Sequence, residues 1–205
     1  MNPLETYANS PIGRPLHKWP HYFDIYHRHF ERFRNKGAVV LEVGVGYGGS
    51  LQMWKAYFGD RAQIFGVDRA SYCKAYEEDG IKVFIGCQAD RGFLGTLKEQ
   101  VPPLDVLIGD GEHKTISQVT TFEELFDHIK EGGVYLCEDV HGGPDNFMEH
   151  CKRFVGALGT VGSIHFYNGK KEGVVVIEKP SRPLLGSLWY KVPTNGVVLT
   201  TWINI

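Results

Sequence analysis

The sequence predicts an α/β fold with a mostly parallel seven-stranded sheet that ends in a C-terminal antiparallel hairpin. Five short apolar runs alternate with stretches of helical length, which is typical of consecutive strand–helix units in a parallel sheet. Two further apolar runs near the C-terminus are joined by the polar, glycine-containing connection 168–173, which indicates a hairpin. The 205 residues suffice for one domain with a sizeable core.

Each element is predicted from its hydrophobic period. The strands are predicted at 38–43, 64–68, 82–86, 104–108, 134–138, 163–167 and 174–178. Helices are predicted at 21–34, 50–58, 71–79, 93–100, 116–130 and 145–158. The helix at 116–130 has Ile116 on its apolar face, a capping-box pattern from Thr115 to Gln118, and Gly132-Gly133 as its expected end.

These elements divide the chain into three parts. Residues 1–37 form an N-terminal extension with one helix, and residues 38–180 form the main domain. The tail 181–205 is rich in apolar residues without a clear period, so we expect it to pack on the domain or to form a contact in a homo-oligomer.

Composition excludes several classes of function. The net charge of -2, with no Lys/Arg-rich block, argues against nucleic-acid binding. No apolar run is long enough to span a bilayer, and the N-terminal residues lack the apolar segment of a signal peptide. The four cysteines form no C-x-x-C pair, so we expect reduced thiols and a cytoplasmic protein.

A glycine cluster follows the first strand and precedes a helix, which is where nucleoside cofactors bind in such folds. Gly44, Gly46 and Gly49 fit the dinucleotide pattern G-x-G-x-x-G. The alternative set Gly44, Gly46 and Gly48, preceded by Glu42, fits the G-x-G-x-G turn of methyltransferases. Glycines of this kind permit a tight turn and a close approach of the ligand to the backbone.

Polar residues after the second and third strands lie at the same predicted sheet edge. Asp68 is placed to accept hydrogen bonds from the ribose hydroxyls of a dinucleotide or of the nucleoside cofactor of a methyltransferase. Gln88 and Asp90 follow the third strand. Asp90 either binds an adenine amino group or caps the next helix.

Three carboxylates follow the fourth and fifth strands. Asp110 lies after one, and Glu138 and Asp139 lie at the end of the other. Adjacent strands are about 5 Å apart, so these side chains are expected to meet. Their mutual repulsion predicts a hard divalent cation, Mg²⁺ or Ca²⁺. His113 lies on the same loop as Asp110 and is a candidate general base.

The remaining histidines are weaker candidates. His165 lies within a strand and is expected to be structural, whereas His141 is near enough to the carboxylates to touch a substrate. The tract 17–22, with His21, either folds over the cofactor or is an ordinary helix entrance.

The motifs together resemble the catalytic domain of metal-dependent sugar O-methyltransferases, the macrocin and mycinamicin type of macrolide pathways. The resemblance covers roughly residues 17–180. Its motifs are His29-Phe30, Leu41-Glu42-Val43-Gly44-Val45-Gly46, Gly48-Gly49-Ser50-Leu51-Gln52-Met53-Trp54, Tyr57-Phe58, Asp110-Gly111-Glu112-His113, Thr121-Phe122, Gly132-Gly133-Val134-Tyr135, Glu138-Asp139-Val140-His141 and Ile164-His165-Phe166-Tyr167.

The resemblance implies a Rossmann-like class I methyltransferase fold and S-adenosylmethionine with Mg²⁺ as cofactors. It implies that Asp110, Glu138 and Asp139 hold the metal, that His113 is the catalytic base, and that the cofactor contacts are Glu42, Gly44, Gly46, Asp68, Gln88 and Asp90. The expected reaction is O-methylation of a hydroxyl on a sugar or other polyhydroxylated small molecule. Cys87 and Glu112 depart from the family pattern, where a more polar and a smaller residue are expected.

Two other functions stay open. A nicotinamide-dependent oxidoreductase is compatible with the glycine turn, although nothing after the third strand looks like a hydride-transfer site. A non-catalytic partner subunit is compatible with the apolar tail, and antibiotic hydroxylase-associated proteins share the same fold and metal motif.

Overall fold

The computed structural model describes residues 2–10, 12–141, 147–157, 163–168, 173–180 and 199–204. The strands are β1 (Val39–Val43), β2 (Gln63–Asp68), β3 (Ile81–Ile85), β4 (Leu104–Gly109), β5 (Ile129–Val140), β6 (Ser163–Asn168), β7 (Gly173–Glu178) and β8 (Leu199–Asn204). The helices are α1 (Pro3–Asn9), α2 (Tyr22–Phe30), α3 (Gly49–Phe58), α4 (Arg91–Gln100), α5 (Thr115–Leu125) and α6 (Phe147–Ala157). Two 3₁₀ segments lie at Glu31–Phe33 and Ser71–Tyr76.

The described strands form one sheet in the order β3-β2-β1-β4-β5-β7-β6-β8. β3, β2, β1, β4 and β5 pair in parallel, and β7 is antiparallel to both β5 and β6. This confirms the predicted seven-stranded sheet with its closing hairpin. β8 adds an unpredicted eighth strand, parallel to β6. The hairpin connection 169–172 and most of the tail, 181–198 and 205, lie outside the described residues.

Helices cover both faces of the sheet because the central strands are apolar on both sides. All five residues of β1 are buried. One face packs against α1, α2 and α3, where Tyr26 and Trp54 meet edge to face with ring centroids 5.0 Å apart. The other packs against α4, α5 and α6 around Phe122, which lies 5.1 Å from the Tyr135 ring. Each such fully buried ring contributes about 1.5–3 kcal/mol, so both layers fix the sheet edge that carries the site.

The helix predicted at 116–130 ends earlier, at Leu125, and this part of the prediction is wrong. β5 already begins at Ile129, where the carbonyl of His128 accepts the Leu104 N–H. Gly132 has φ +74° within β5, beside an irregularity in the pairing of β4 with β5. A left-handed glycine serves a strand irregularity as well as a helix end, so the glycine signal was ambiguous.

The predicted start of this helix is also wrong in detail. Lys114 is the N-cap residue and makes no side-chain capping bond. Ser117 instead donates to Glu112 over 2.7 Å, and Ile116 is 68% exposed. The capping box fails because Thr115 already lies inside the helix and the Gln118 side chain donates to the Glu138 carbonyl. The apolar assignment of Ile116 fails because its side chain faces solvent.

Two other predicted helices are shorter or tighter. The stretch 71–79 forms only the 3₁₀ segment Ser71–Tyr76, and the helix predicted at 21–34 ends at Phe30 before Glu31–Phe33.

Cys73, Cys87, Cys137 and Cys151 are unpaired, in agreement with the prediction of free thiols. None of the helices in the described ranges combines the length and apolar character that a membrane crossing needs.

Candidate active site

The glycine turn joins β1 to α3 at the carboxyl edge of the sheet. Gly44 has φ +103°, and a Cβ at this position would lie 1.9 Å from the carbonyl oxygen of Asp110. Gly46 is also left-handed, with φ +54°, but a Cβ there would meet nothing within 4 Å. The turn therefore needs one glycine for close backbone packing and leaves space beside the other.

A cavity of about 670 Å³ opens over this turn. Its walls come from the glycine turn, the ends of β2, β3, β4 and β5, and part of the N-terminal segment. Among the predicted cofactor contacts, Gly44, Gly46, Asp68 and Gln88 line it. Glu42 and Asp90 are not among the lining residues.

Asp68 is held at the cavity wall by backbone donors. One carboxylate oxygen accepts the N–H groups of Val45 and Gly46 at 2.9 and 3.2 Å, and the other accepts that of Ala70 at 2.9 Å. Carboxylate oxygens have several acceptor sites, so Asp68 retains capacity for ligand hydroxyls. Its position fits the predicted role.

Gln88 and Asp90 have structural partners. The Gln88 side-chain oxygen accepts the Glu112 N–H at 2.8 Å, and a Cβ on Gly111 would lie 1.7 Å from it. Gln88 thus fixes the loop after β4 as well as lining the cavity. Asp90 accepts the Phe93 N–H at 3.1 Å as the N-cap of α4, which favours the capping alternative.

Asp110 and Glu138 meet as predicted, because parallel pairing sets Gly109 beside Cys137. A lysine that the sequence reading missed lies between them. Lys18 Nζ is 2.6 Å from Asp110, 2.7 Å from Glu138 and 2.9 Å from Glu42. The side chains of Lys18, Glu42 and Glu138 are almost fully buried, whereas that of Asp110 is 21% exposed on the cavity side. Glu42 therefore contacts Lys18, and its other oxygen accepts from Ser50.

Asp139 lies on the other side of Asp110. It has φ +50°, and one of its oxygens accepts the Tyr22 hydroxyl at 2.6 Å. The other oxygen is 3.6 Å from His113 Nε2, and His113 is itself left-handed at φ +58°. Two non-glycine residues in this conformation at one site indicate strain held by the surrounding structure.

The predicted metal ligands are therefore distributed over two overlapping groups that share Asp110. Glu42, Asp110 and Glu138 have ligand atoms within 4.8 Å of one another, and so do Asp110, His113 and Asp139. The sequence predicted a single trio of Asp110, Glu138 and Asp139. The difference arises because Lys18 and Glu42 enter the interior half of the cluster, while Asp139 turns towards His113.

The charges shift the pKa values in this cluster. Burial raises the pKa of Asp110 above its ordinary value, against the opposing effect of Lys18. Burial, followed by the charge of Asp110, raises the pKa of Glu138 well above its ordinary value. Burial alone lowers the pKa of Lys18, but Asp110, Glu138 and Glu42 together raise it well above that of a free lysine. The carboxylates of this cluster therefore outnumber the single ammonium of Lys18 that offsets their charge.

The donor set fits a hard divalent cation. Three carboxylates, from Glu42, Asp110 and Glu138, surround the single ammonium of Lys18, and a fourth, from Asp139, lies within 4.8 Å of Asp110. Lys18 neutralises only part of this charge, and Asp110 and Asp139 face the cavity with oxygen ligands of the type that Mg²⁺ prefers. The position of the Lys18 ammonium between Asp110 and Glu138 agrees with a negative potential at this site.

The N-terminal tract lies over the cavity. His17, Lys18 and Trp19 line it, which favours the cover alternative over an ordinary helix entrance. The only sequence feature that marks Lys18 is its place among aromatic residues and histidines. Its carboxylate partners are 24, 92 and 120 residues away along the chain. No local pattern reports such distant contacts.

Of the other candidate residues, three do not line the cavity and two do. His141 is exposed and is not among the lining residues, and neither is His21. His165 is half-buried with its Nε2 3.0 Å from the Ser163 hydroxyl, as expected of a structural residue. Cys87 and Glu112, the two departures from the family pattern, both line the cavity.

Comparison with known proteins confirms the resemblance, although no protein-family model matches the chain. It is 39% identical over 129 residues to a tetracenomycin rhamnosyl 3'-O-methyltransferase of Streptomyces olivaceus, covering 60% of this chain and 33% of that protein. It is 37% identical over 147 residues to the demethylmacrocin O-methyltransferase of Streptomyces fradiae, covering 68% of this chain and 36% of that protein.

The structural comparison agrees. The methyltransferase MycE of the mycinamycin pathway, solved in complex with Mg, SAH and mycinamycin VI, superposes with a TM-score of 0.74 at 28% identity. The match covers 94% of this chain and 56% of MycE. The chain spans about a third of the length of the two curated relatives above. The fold is that of the Rossmann-like class I methyltransferases.

Proposed function

The chain is a homologue of the sugar O-methyltransferases of macrolide and tetracenomycin pathways, and we propose that it methylates a hydroxyl of a sugar or other polyhydroxylated natural product. S-adenosylmethionine is the proposed methyl donor and Mg²⁺ the proposed metal. The observation that carries the proposal is the carboxylate cluster around Asp110, directly beside a cavity over the glycine turn.

The cofactor side of the site is formed by backbone and one carboxylate. Gly46 leaves space for a nucleoside beside the turn, Gly44 lines the same cavity, and Asp68 offers acceptors to the nucleoside hydroxyls. Gln88 holds the loop after β4, which carries Asp110 and His113. Glu42 acts behind the cavity wall, through Lys18 and Ser50. Asp90 belongs to the proposed cofactor set only through the resemblance.

The acceptor side is formed by the carboxylates and His113. Asp110, Glu138 and Asp139 would hold Mg²⁺, whose charge favours the deprotonated form of a substrate hydroxyl. His113 Nε2 accepts the hydroxyl proton, and Asp139 at 3.6 Å stabilises the resulting imidazolium. An oxygen–carbon bond then forms as the sulfonium carbon–sulfur bond breaks, so the protein acts chiefly by alignment.

The test is methyl transfer from labelled S-adenosylmethionine to a panel of glycosylated and free polyhydroxylated acceptors. Turnover is expected with Mg²⁺ and is expected to stop with a chelator. His113→Ala should lower kcat by about a hundredfold or more, whereas His141→Ala, at an exposed position outside the cavity lining, should retain activity. Undiminished turnover with chelator present contradicts the metal role.

Calorimetry separates the alternatives. S-adenosylmethionine is expected to bind and NADH is not, whereas the reverse supports an oxidoreductase. Inactivity alone together with tight binding to another chain supports a partner subunit. A homo-oligomer, a cytoplasmic location, and binding of neither nucleic acid nor membrane remain predictions of the same account.

A further inference from the structure

The segment 12–20 crosses the mouth of the cavity and is seated on α3. A Cβ on Gly49, the first residue of α3, would lie 2.1 Å from the carbonyl oxygen of Pro15. The Arg14 N–H donates to the side chain of Gln52 at 2.9 Å. These contacts place the segment against the helix that follows the glycine turn.

The same segment supplies one wall of the cavity. His17 and Trp19 line the cavity, and the His17 ring lies 5.4 Å from that of Tyr47 in the glycine turn. The described cavity is therefore bounded by the sheet edge on one side and by this segment on the other. A ligand over the glycine turn is covered only while the segment stays in place.

Lys18 connects the segment to the sheet. Its side chain is 1% exposed and passes the rings of Tyr26 and Trp54, each 5.9 Å from Nζ. Nζ ends among three carboxylates contributed by β1, the loop after β4, and β5. Charge-assisted hydrogen bonds of this type are the strong class, and here they replace the water that a lysine needs when it is buried.

We propose that Lys18 is a positioning residue that anchors segment 12–20 over the cofactor cavity by its ion pairs with Glu42, Asp110 and Glu138. Retention of the cofactor then depends on the ion pairs that hold the segment in place. The inference rests on the proposed function, because S-adenosylhomocysteine is the ligand that reports on the cover.

The experiment compares S-adenosylhomocysteine affinity by calorimetry with amide hydrogen exchange, without added metal. Lys18→Met should raise the Kd at least tenfold and should accelerate exchange in segment 12–20 while β7 stays protected. Lys179→Met is the matched control, since Lys179 is also partly buried and donates to the Phe126 and Ile129 carbonyls away from the cavity. It should leave both the Kd and the exchange of segment 12–20 unchanged.

Arg14→Met keeps the test decisive if Lys18→Met does not fold. Arg14 forms an ion pair with Glu78 at 3.1 Å at the other end of the segment, outside the cavity lining. Its loss should raise the Kd about threefold, the effect of a partly exposed pair, with faster exchange in the same segment. Unchanged Kd and unchanged exchange in the folded variants overturn the anchor.

Failure of the proposed function gives a different result. If the wild type binds no S-adenosylhomocysteine, the cofactor assignment is wrong. The exchange comparison still decides whether Lys18 holds the segment, because it requires no ligand.

Discussion

Replacing Gly44 by alanine should damage the fold far more than the same change at Gly46. Both glycines have a positive φ, +103° at Gly44 and +54° at Gly46, and they lie two residues apart in the same turn. The space around them differs. The new Cβ at position 44 would lie 1.9 Å from the Asp110 carbonyl oxygen, whereas the one at position 46 would meet nothing within 4 Å.

The magnitude follows from what must move. Real Cβ atoms essentially never approach closer than 3.0 Å, so the loop after β4 has to shift by roughly 1 Å. That shift weakens the 2.7 Å hydrogen bond from the Asp110 N–H to the Val43 carbonyl, which is worth about 1 kcal/mol. Overpacking and the positive φ each add about 1–3 kcal/mol. Gly44→Ala should therefore cost about 3–7 kcal/mol, and Gly46→Ala about 1 kcal/mol.

Urea unfolding at neutral pH measures both free energies of unfolding. The expected difference between the two variants is at least 2 kcal/mol by the same reasoning. Equal destabilisation would refute the close packing of the glycine turn against Asp110. It would also remove the geometric link between the cofactor turn and the carboxylate cluster.

The remaining predictions concern charge and capping. Glu178 has its pKa lowered from 4.5 to about 2 by the hydrogen bond from His29 and then by Arg32. The stabilising effect of the ionised Glu178 is thus complete above pH 4.5 and is lost towards pH 2. In urea titrations the wild type should lose its stability advantage over Glu178→Gln as the pH falls through that window. Parallel curves of stability against pH would contradict this. Asp90→Ala should cost about 1 kcal/mol of stability, as a lost N-cap does, and leave the Kd for S-adenosylhomocysteine within about twofold. A tenfold loss of affinity would instead favour contact between Asp90 and the adenine.

The sequence was sufficient for the sheet and for the site edge because both depend on local period. Apolar runs of strand length alternate with helical stretches, and parallel strands bring their carboxyl ends to one edge. The proximity of Asp110 and Glu138 follows from this rule alone, and the register of β4 with β5 agrees with it.

Some residues are compatible with two local structures, and the sequence alone cannot decide between the two. The pattern Gly132-Gly133 predicts a helix end, but Gly132 lies in a strand irregularity with φ +74°. Asp90 has a helix-capping partner at Phe93 that a sequence pattern cannot distinguish from a ligand contact. In each case one residue type satisfies both local geometries, and tertiary contacts decide between them.

Long-range partners were invisible for a different reason. Lys18 and its carboxylates come from four separate parts of the chain, and only the folded sheet brings them within 2.9 Å. Tyr22 likewise contacts Asp139 across 117 residues. The contacts of Lys18 and Tyr22 with the carboxylates can therefore be found only in the folded structure. The residues that face the cavity can be predicted from the ends of the strands.

The central claim is that Asp110, Glu138 and Asp139 hold a divalent cation beside the cofactor cavity while Lys18 occupies the interior of the cluster. A crystal grown with S-adenosylhomocysteine and Mn²⁺, with data collected for the anomalous signal of manganese, tests it most directly. The account predicts one anomalous peak bonded to oxygens of all three carboxylates at about 2.2 Å, close to the distance for Mg²⁺. Full occupancy of the cofactor with no manganese peak at these carboxylates, and Lys18 as their only cationic partner, would contradict it.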